Sequence, residues 1–196
     1  FKVFSEFKKI KSKKLDFNNA VILNSFNKFS KHVSFSHKIN NRWENQYLDF
    51  AYVREVNYIF RKACHLSRDL IKNPLIVPNK GLGFARDEFW FNIAKHGEST
   101  GWHDHIKGSI LSGVYYLKVP QNSGNICFRI KQDKKWYFYE IESRENMLLL
   151  FDSKLEHSVT KNLSNQKRVS IAFNLYKLPI SYFSNGGNYS KEKFYL

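Results

Sequence analysis

The chain has 196 residues, a length that suits one compact domain with room for a substantial core. With 42% hydrophobic and 17% aromatic residues it is excluded from the disordered class, and no apolar run reaches the ~18–20 residues of a membrane span. Lysine and arginine number 32 against 17 aspartate and glutamate, a net charge of +15, which favours anionic partners: nucleic acid, phosphorylated or carboxylated small molecules, or a membrane face. Only Cys64 and Cys127 are present, with no CxxC pair around either, so two free thiols in a reducing compartment are expected. Residues 1–14 lack the apolar stretch of a secretion signal, and a cytoplasmic location is the matching expectation.

In chain order, a short and weakly amphipathic helix is expected over residues 24–35. A long amphipathic helix follows over residues 44–72, where Tyr47, Leu48, Ala51, Val53, Val56, Ile59, Phe60, Ala63, Leu66, Leu70 and Ile71 stand between charges. It must stop at Asn73-Pro74, because a proline bars helical geometry to the residue before it. After Pro78 and the 81–83 turn the pattern changes to short runs rich in aromatic and β-branched residues. Strands are expected over 88–95, 101–105, 110–119, 125–131, 136–142, 147–151, 157–161 and 169–177. Short strands at this spacing, with no helices between them, predict a jelly roll, a double-stranded β-helix packed against the N-terminal helices: mainly β with α. The expected organisation is a single domain with helical support over 1–80, the jelly-roll core over 81–178 and a surface tail over 179–196 that holds Asn185-Gly186-Gly187-Asn188.

The chemistry concentrates in the second half. In Gly101-Trp102-His103-Asp104-His105 the two histidines stand at i and i+2, which on a strand share a face and can grip one ion, with Asp104 turned away unless the backbone bends. His157 opens a later strand that a jelly roll can bring alongside. Three imidazoles with open positions beside them suit a catalytic transition metal rather than a structural zinc. His32, His37, His65 and His96 have no such companions. Arg168 and Ser170 share a strand face and form a fork for a carboxylate. Ser112 and Tyr116 put two hydroxyls on one face of another strand.

Together, His-x-His, Ser-Gly-Val-Tyr-Tyr-Leu (112–117), Leu-Leu-Leu-Phe-Asp-Ser-x-Leu-x-His-Ser-Val (148–159) and Arg-Val-Ser-Ile-Ala-Phe-Asn (168–174) resemble the iron(II)- and 2-oxoglutarate-dependent oxygenases. The branch most similar is one of small bacterial and phage oxygenases with an HxH…H…RxS pattern, and the resemblance spans residues 89–175. It implies iron(II), 2-oxoglutarate and O2 as cofactors, with His103, His105 and His157 at the iron-ligand positions. It further implies that Arg168 and Ser170 hold the distal carboxylate of 2-oxoglutarate, with Tyr116 and Ser112 assisting, and that Asn92 and Asn174 are polar residues near the site. The superfamily at large has Asp or Glu two residues after the first histidine. Here that position is His105, and Asp104 is the alternative ligand. The implied reaction couples oxidative decarboxylation of 2-oxoglutarate to hydroxylation, or a related C–H oxidation, of a small-molecule or peptidyl substrate. Two competing readings are a non-catalytic jelly-roll module that binds an anion or nucleic acid, and an oxygenase of this superfamily directed at nucleic acid, motivated by the +15 charge.

Overall fold

The computed structural model describes residues 2–36, 38–39, 42–105 and 108–179. Helix α1 (Lys2–Phe7) and strand β1 (Lys11–Lys14) lead into α2 (Asn19–Lys28). The short strands β2 (Ser34–Phe35), β3 (Lys38–Ile39), β4 (Arg42–Trp43) and β5 (Gln46–Tyr47) precede α3 (Val56–Ser67) and β6 (Leu75–Ile76). Then come β7 (Phe89–Ala94), β8 (Thr100–His103), β9 (Leu111–Lys118), β10 (Ile126–Gln132), β11 (Lys135–Ile141), β12 (Met147–Asp152), β13 (Glu156–Val159) and β14 (Arg168–Lys177). All eight of the expected strands after Pro78 are present.

Antiparallel pairing sorts these eight strands into two facing sheets, the jelly roll that the sequence predicts. The small sheet has the order β11-β10-β13-β8, while β12-β9-β14-β7 form the middle of a larger sheet that β1 extends at one edge and β5 and β2 at the other. The large sheet is covered on its outer side by α2 and α3. Ile22 and Phe26 of α2 and Val56, Ile59, Phe60 and Ala63 of α3 share one buried cluster with Phe89, Phe91, Tyr115, Leu148, Leu150, Ile171 and Phe173. A second cluster of Val114, Tyr116, Ile126, Phe128, Leu149 and Phe151 fills the space between the sheets. Being covered on both faces is what lets Leu148–Phe151 and Leu111–Leu117 be buried without alternation.

The N-terminal half departs from expectation in two places. The helix expected over 44–72 is only α3. Its first third is instead a strand, β5, paired with β2 and β7, followed by a 3-10 turn over Phe50–Tyr52. Polar side chains pull that stretch out of helical geometry: Asp49 caps the turn by accepting from the Ala51 N–H, and Asp87 accepts from the Phe50 N–H at 2.9 Å. The apolar spacing was real, since Leu48 and Val53 are buried, but it served a strand and a turn rather than a helix. The helix expected over 24–35 lies earlier, as α2, because Asn18 caps it by accepting from the Ala20 N–H at 3.1 Å. His37 and the tail beyond Pro179 lie outside the described residues. Both thiols, Cys64 and Cys127, are free. No helix among the described residues is long and apolar enough to cross a membrane.

Candidate iron and 2-oxoglutarate site

In the small sheet β8 and β13 are neighbours, and their register sets His103 directly opposite His157. The strand expected over 101–105 ends at His103, so His105 does not reach the site by sharing a strand face. It is placed by a serine cradle. The His105 N–H donates to the Ser153 carbonyl at 2.8 Å, and the Ser109 hydroxyl donates to the His105 carbonyl at 2.9 Å. Ser109 and Ser112 both reach the Ser153 hydroxyl, at 2.9 and 3.1 Å, and Ser112 donates onward to Asn174 Oδ1 at 2.9 Å. Ser153 is fully buried, so this chain of hydroxyls is a fixed support.

The outcome is three imidazoles in one cluster. One donor atom from each of His103, His105 and His157 lies within 4.8 Å of the other two, and this is the group among the described residues that could hold an ion; Asp104 is outside it. The ring tautomers follow from the backbone. His103 Nδ1 sits 2.8 Å from the Gly101 carbonyl and His157 Nδ1 sits 3.0 Å from the Leu155 carbonyl. A carbonyl can only accept, so each Nδ1 carries a proton, and Nε2 is the nitrogen of each neutral ring that offers its lone pair to an ion. Burial, reinforced by neighbouring imidazoles, pushes the His157 ring well below its ordinary value and His105 down to about 4. Both are therefore neutral at pH 7, the form that ligates metal.

A cavity of about 280 Å³ opens onto these rings between the sheets, and His103, His105, His157, Asn92, Ser112, Tyr116, Arg168 and Ser170 all line it. Register explains the convergence: Ser170 of β14 stands opposite Asn92 of β7 on one side and opposite Tyr116 of β9 on the other. Asn174 stands opposite Ser112 and supports it rather than lining the cavity. With its amide oxygen and nitrogen exchanged, the orientation its neighbours favour, Asn92 donates to the Glu44 carbonyl at 2.6 Å and accepts from Trp90 Nε1 at 3.3 Å. Arg168 is buried, donates from Nη1 to the Ser123 carbonyl at 2.5 Å, and has no carboxylate within ion-pair distance among the described residues. Burial brings its guanidinium down to about 10, so it remains a cation at neutral pH. Burial likewise pushes the Tyr116 phenol up, leaving it a neutral donor.

These donors fit the two cofactors the resemblance implies. Imidazole lone pairs suit iron(II), and a sealed arginine facing a cavity suits an incoming carboxylate. Residues 88–174 match the family described as "Putative 2OG-Fe(II) oxygenase". That match supports the iron(II)- and 2-oxoglutarate-dependent oxygenase superfamily. The oxygenase fold extends over most of the chain. The epimerase SnoN from nogalamycin biosynthesis, solved with Fe3+, alpha ketoglutarate and nogalamycin RO, superposes with a TM-score of 0.66 at 12% identity, covering 96% of this chain and 92% of that one. A Pseudomonas putida prolyl-4-hydroxylase gives 0.60 at 15% identity over 86% and 92% of the two chains. A Trichoplax adhaerens prolyl hydroxylase in complex with a hypoxia inducible factor peptide fragment gives 0.63 at 16% identity over 86% and 84%. No curated protein sequence matches the chain. The family match and the three-histidine cluster support an enzyme with iron(II) and 2-oxoglutarate as cofactors over a non-catalytic module.

Several residues that shape the site carried no sequence signal. Glu44 and Asn45 reach the cavity from the N-terminal segment, and Trp90 and Trp102 flank it. Ser109 and Ser153 are ordinary serines until their hydrogen bonds are seen. Gly124 had a signal of another kind, its place in a turn. Its φ is +94°, and a Cβ there would run into the Thr160 carbonyl and stand 2.7 Å from Arg168 Nη1.

Proposed function

We propose that this oxygenase couples oxidative decarboxylation of 2-oxoglutarate to hydroxylation of a substrate group that enters the cavity beside the three histidines. The observation that carries the reading is the joint placement of three clustered imidazoles and one buried arginine, with no carboxylate in ion-pair range among the described residues, in a single cavity. Bound iron(II) supplies the activation of O2 by two-electron oxidation of the keto acid to succinate and CO2. Everything else falls to the chain. His103, His105 and His157 hold the ion through their unprotonated nitrogens, with the Gly101 and Leu155 carbonyls fixing two of the rings. Arg168 takes the distal carboxylate of 2-oxoglutarate, with Ser170 and the Tyr116 hydroxyl beside it, so the cosubstrate is held at the end remote from the reacting carbon. Phe151 and Phe128 pack against His157 with ring centroids 4.7 and 6.2 Å away and keep that side of the site dry. Glu44, Asn45, Trp90 and Trp102 line the remaining wall, where the substrate group would lie.

The test is succinate release from 2-oxoglutarate with added iron(II), together with iron stoichiometry by metal analysis. His157→Ala should lose both iron and turnover, whereas Asp104→Asn should keep iron, because Asp104 stands outside the donor cluster. Full activity in His157→Ala, or iron loss on changing Asp104 alone, would overturn the ligand assignment.

A further inference from the structure

Free sheet edges are normally blunted by charge, and β1, the edge of the large sheet, obeys with the half-buried Lys11 and the exposed Ser12-Lys13-Lys14. The edge of the small sheet does not. On β11, Trp136, Tyr137, Phe138 and Tyr139 follow one another at 43, 38, 64 and 46% exposure. Aromatic rings left in water on an edge strand forgo the burial that makes them useful to a fold, and such a patch marks a surface that meets something.

The register shows which rings act together. Trp136 stands opposite Lys131 and Phe138 opposite Arg129, while Arg129 stands opposite Glu156, so these five share the outer face of the sheet. His157 lies on the inner face, opposite Phe128. Trp102, adjacent to His103, completes the outer row: its ring centre is 5.9 Å from that of Phe138. The Arg129 guanidinium is held by Glu156 at 2.6 Å and wedged between two indoles, 4.5 Å from the Trp102 ring and 4.4 Å from the Trp136 ring. The Lys131 ammonium lies 5.6 Å over Trp136. The rings are thus fixed before any partner arrives, which lowers the ordering cost of binding. The row is also continuous with the catalytic cavity, because Trp102 lines both.

Cations frame the row at one end. Lys131, Lys134 and Lys135 sit at the β10–β11 hairpin beside Asp133, Glu156 being paired with Arg129. Tyr139, opposite Phe128, belongs to the inner face, where Phe7 stacks on it with centroids 5.3 Å apart. The geometry points to a docking platform for single-stranded nucleic acid, with bases stacked on Trp136, Phe138 and Trp102 and phosphates met by the hairpin lysines Lys131, Lys134 and Lys135. Flat exposed rings need unpaired bases, since a duplex presents only base edges and backbone. A neutral glycan could use the rings but would gain nothing from a chain of net charge +15, and an acidic peptide could use the lysines but not the rings. A strand docked here would pass the mouth of the cavity and become the substrate; that clause rests on the oxygenase reading, whereas the docking itself does not.

The experiment is fluorescence anisotropy with labelled oligothymidylate and oligouridylate of about 15 nucleotides, a site size within the range of known stacking platforms. It uses the full iron(II)-loaded chain without oxygen, and compares a duplex of equal length, polyglutamate and a neutral glucan. Single strands should bind at least ~10-fold better than duplex. Trp136→Ala and Phe138→Ala should each weaken binding by roughly 10-fold while iron content stays at the wild-type level, and Phe138→Tyr should restore affinity because any aromatic ring stacks. Lys131→Ala and Lys135→Ala should instead flatten the dependence on salt. Aromatic variants that bind like wild type, equal affinity for duplex, or displacement by polyglutamate or glucan as effective as by oligonucleotide would overturn the platform. Iron-dependent succinate release, measured separately, shows whether the oxygenase reading stands in either case.

Discussion

An arginine sealed from water without a carboxylate beside it is costly to keep, since a buried charge is normally paired. Among the described residues Arg168 has the Ser123 carbonyl as its one hydrogen-bond partner, and it lines the cavity that holds the histidines. A dicarboxylate cosubstrate would supply the missing partner. Arg168→Ala should therefore raise the 2-oxoglutarate concentration needed for half-maximal turnover by at least ~10-fold, since charge-assisted bonds are worth about 1.5–3 kcal/mol. Iron binding, measured by metal analysis, should stay near wild type. Arg168→Lys should recover only part of the loss, because a point charge cannot reproduce the planar fork. Ser109 makes a complementary case, since it touches neither cavity nor ion. Its hydroxyl bonds the backbone of His105 and the hydroxyl of Ser153. Ser109→Ala should weaken iron(II) affinity by about 10-fold, the scale of lost support behind a ligand, and leave the apparent affinity for 2-oxoglutarate at saturating iron unchanged. An equal loss in both would mean that the cavity as a whole had shifted.

At the level of elements, what was legible depended on whether a residue's role was set by local spacing or by a distant partner. The eight core strands were readable because runs of aromatic and β-branched residues bounded by turn residues are local signals, and the histidines and arginine stood out because their side chains have few other uses together. The long helix over 44–72 was over-read: Leu48 and Val53 satisfied the apolar period, but the hydrogen bond from Phe50 to Asp87, 37 residues on, decided the backbone. His105 is the reverse case. The structure brings it beside His103 and His157 by a route that strand parity does not provide, since β8 ends at His103 and the serine cradle does the placing. Gly124 shows how a loop between β9 and β10 reaches into the site. Gly124→Ala must clear both the Thr160 carbonyl and Arg168 at a φ of +94°, where a side chain is already strained. The variant should lose about 1–3 kcal/mol in denaturant unfolding and also raise the 2-oxoglutarate requirement, because the guanidinium is the softer obstacle. A stability loss with unchanged cosubstrate affinity would mean the loop, not the arginine, gives way.

Across the whole molecule the two buried clusters divide the work. The cluster between the sheets includes Tyr116, Phe128 and Phe151, so it is continuous with the cavity walls, whereas the cluster under α2 and α3 packs on the other face of the large sheet and contributes Phe173 to the cavity lining. That separation predicts that damage to the helical layer should cost stability without retuning the site. Ile59 of α3 has no exposed surface and packs in the outer cluster. Ile59→Ala removes transfer energy and leaves a cavity, a loss of about 2–5 kcal/mol for a fully buried aliphatic chain. For a chain of this length each kcal/mol lowers Tm by roughly 2–4 °C, so a drop on the order of 5–15 °C in a calorimetric scan is expected. Below that transition, iron affinity and the 2-oxoglutarate requirement should match wild type. Phe151→Ala makes the contrast, because its ring packs 4.7 Å from that of His157 and lines the cavity. It should lose a similar amount of stability but also weaken iron binding, since a ligand ring loses its wall. If Ile59→Ala weakened iron binding as much as Phe151→Ala did, the large sheet would have to be transmitting strain from one face to the other, and the division of the core into a supporting half and a catalytic half would fail.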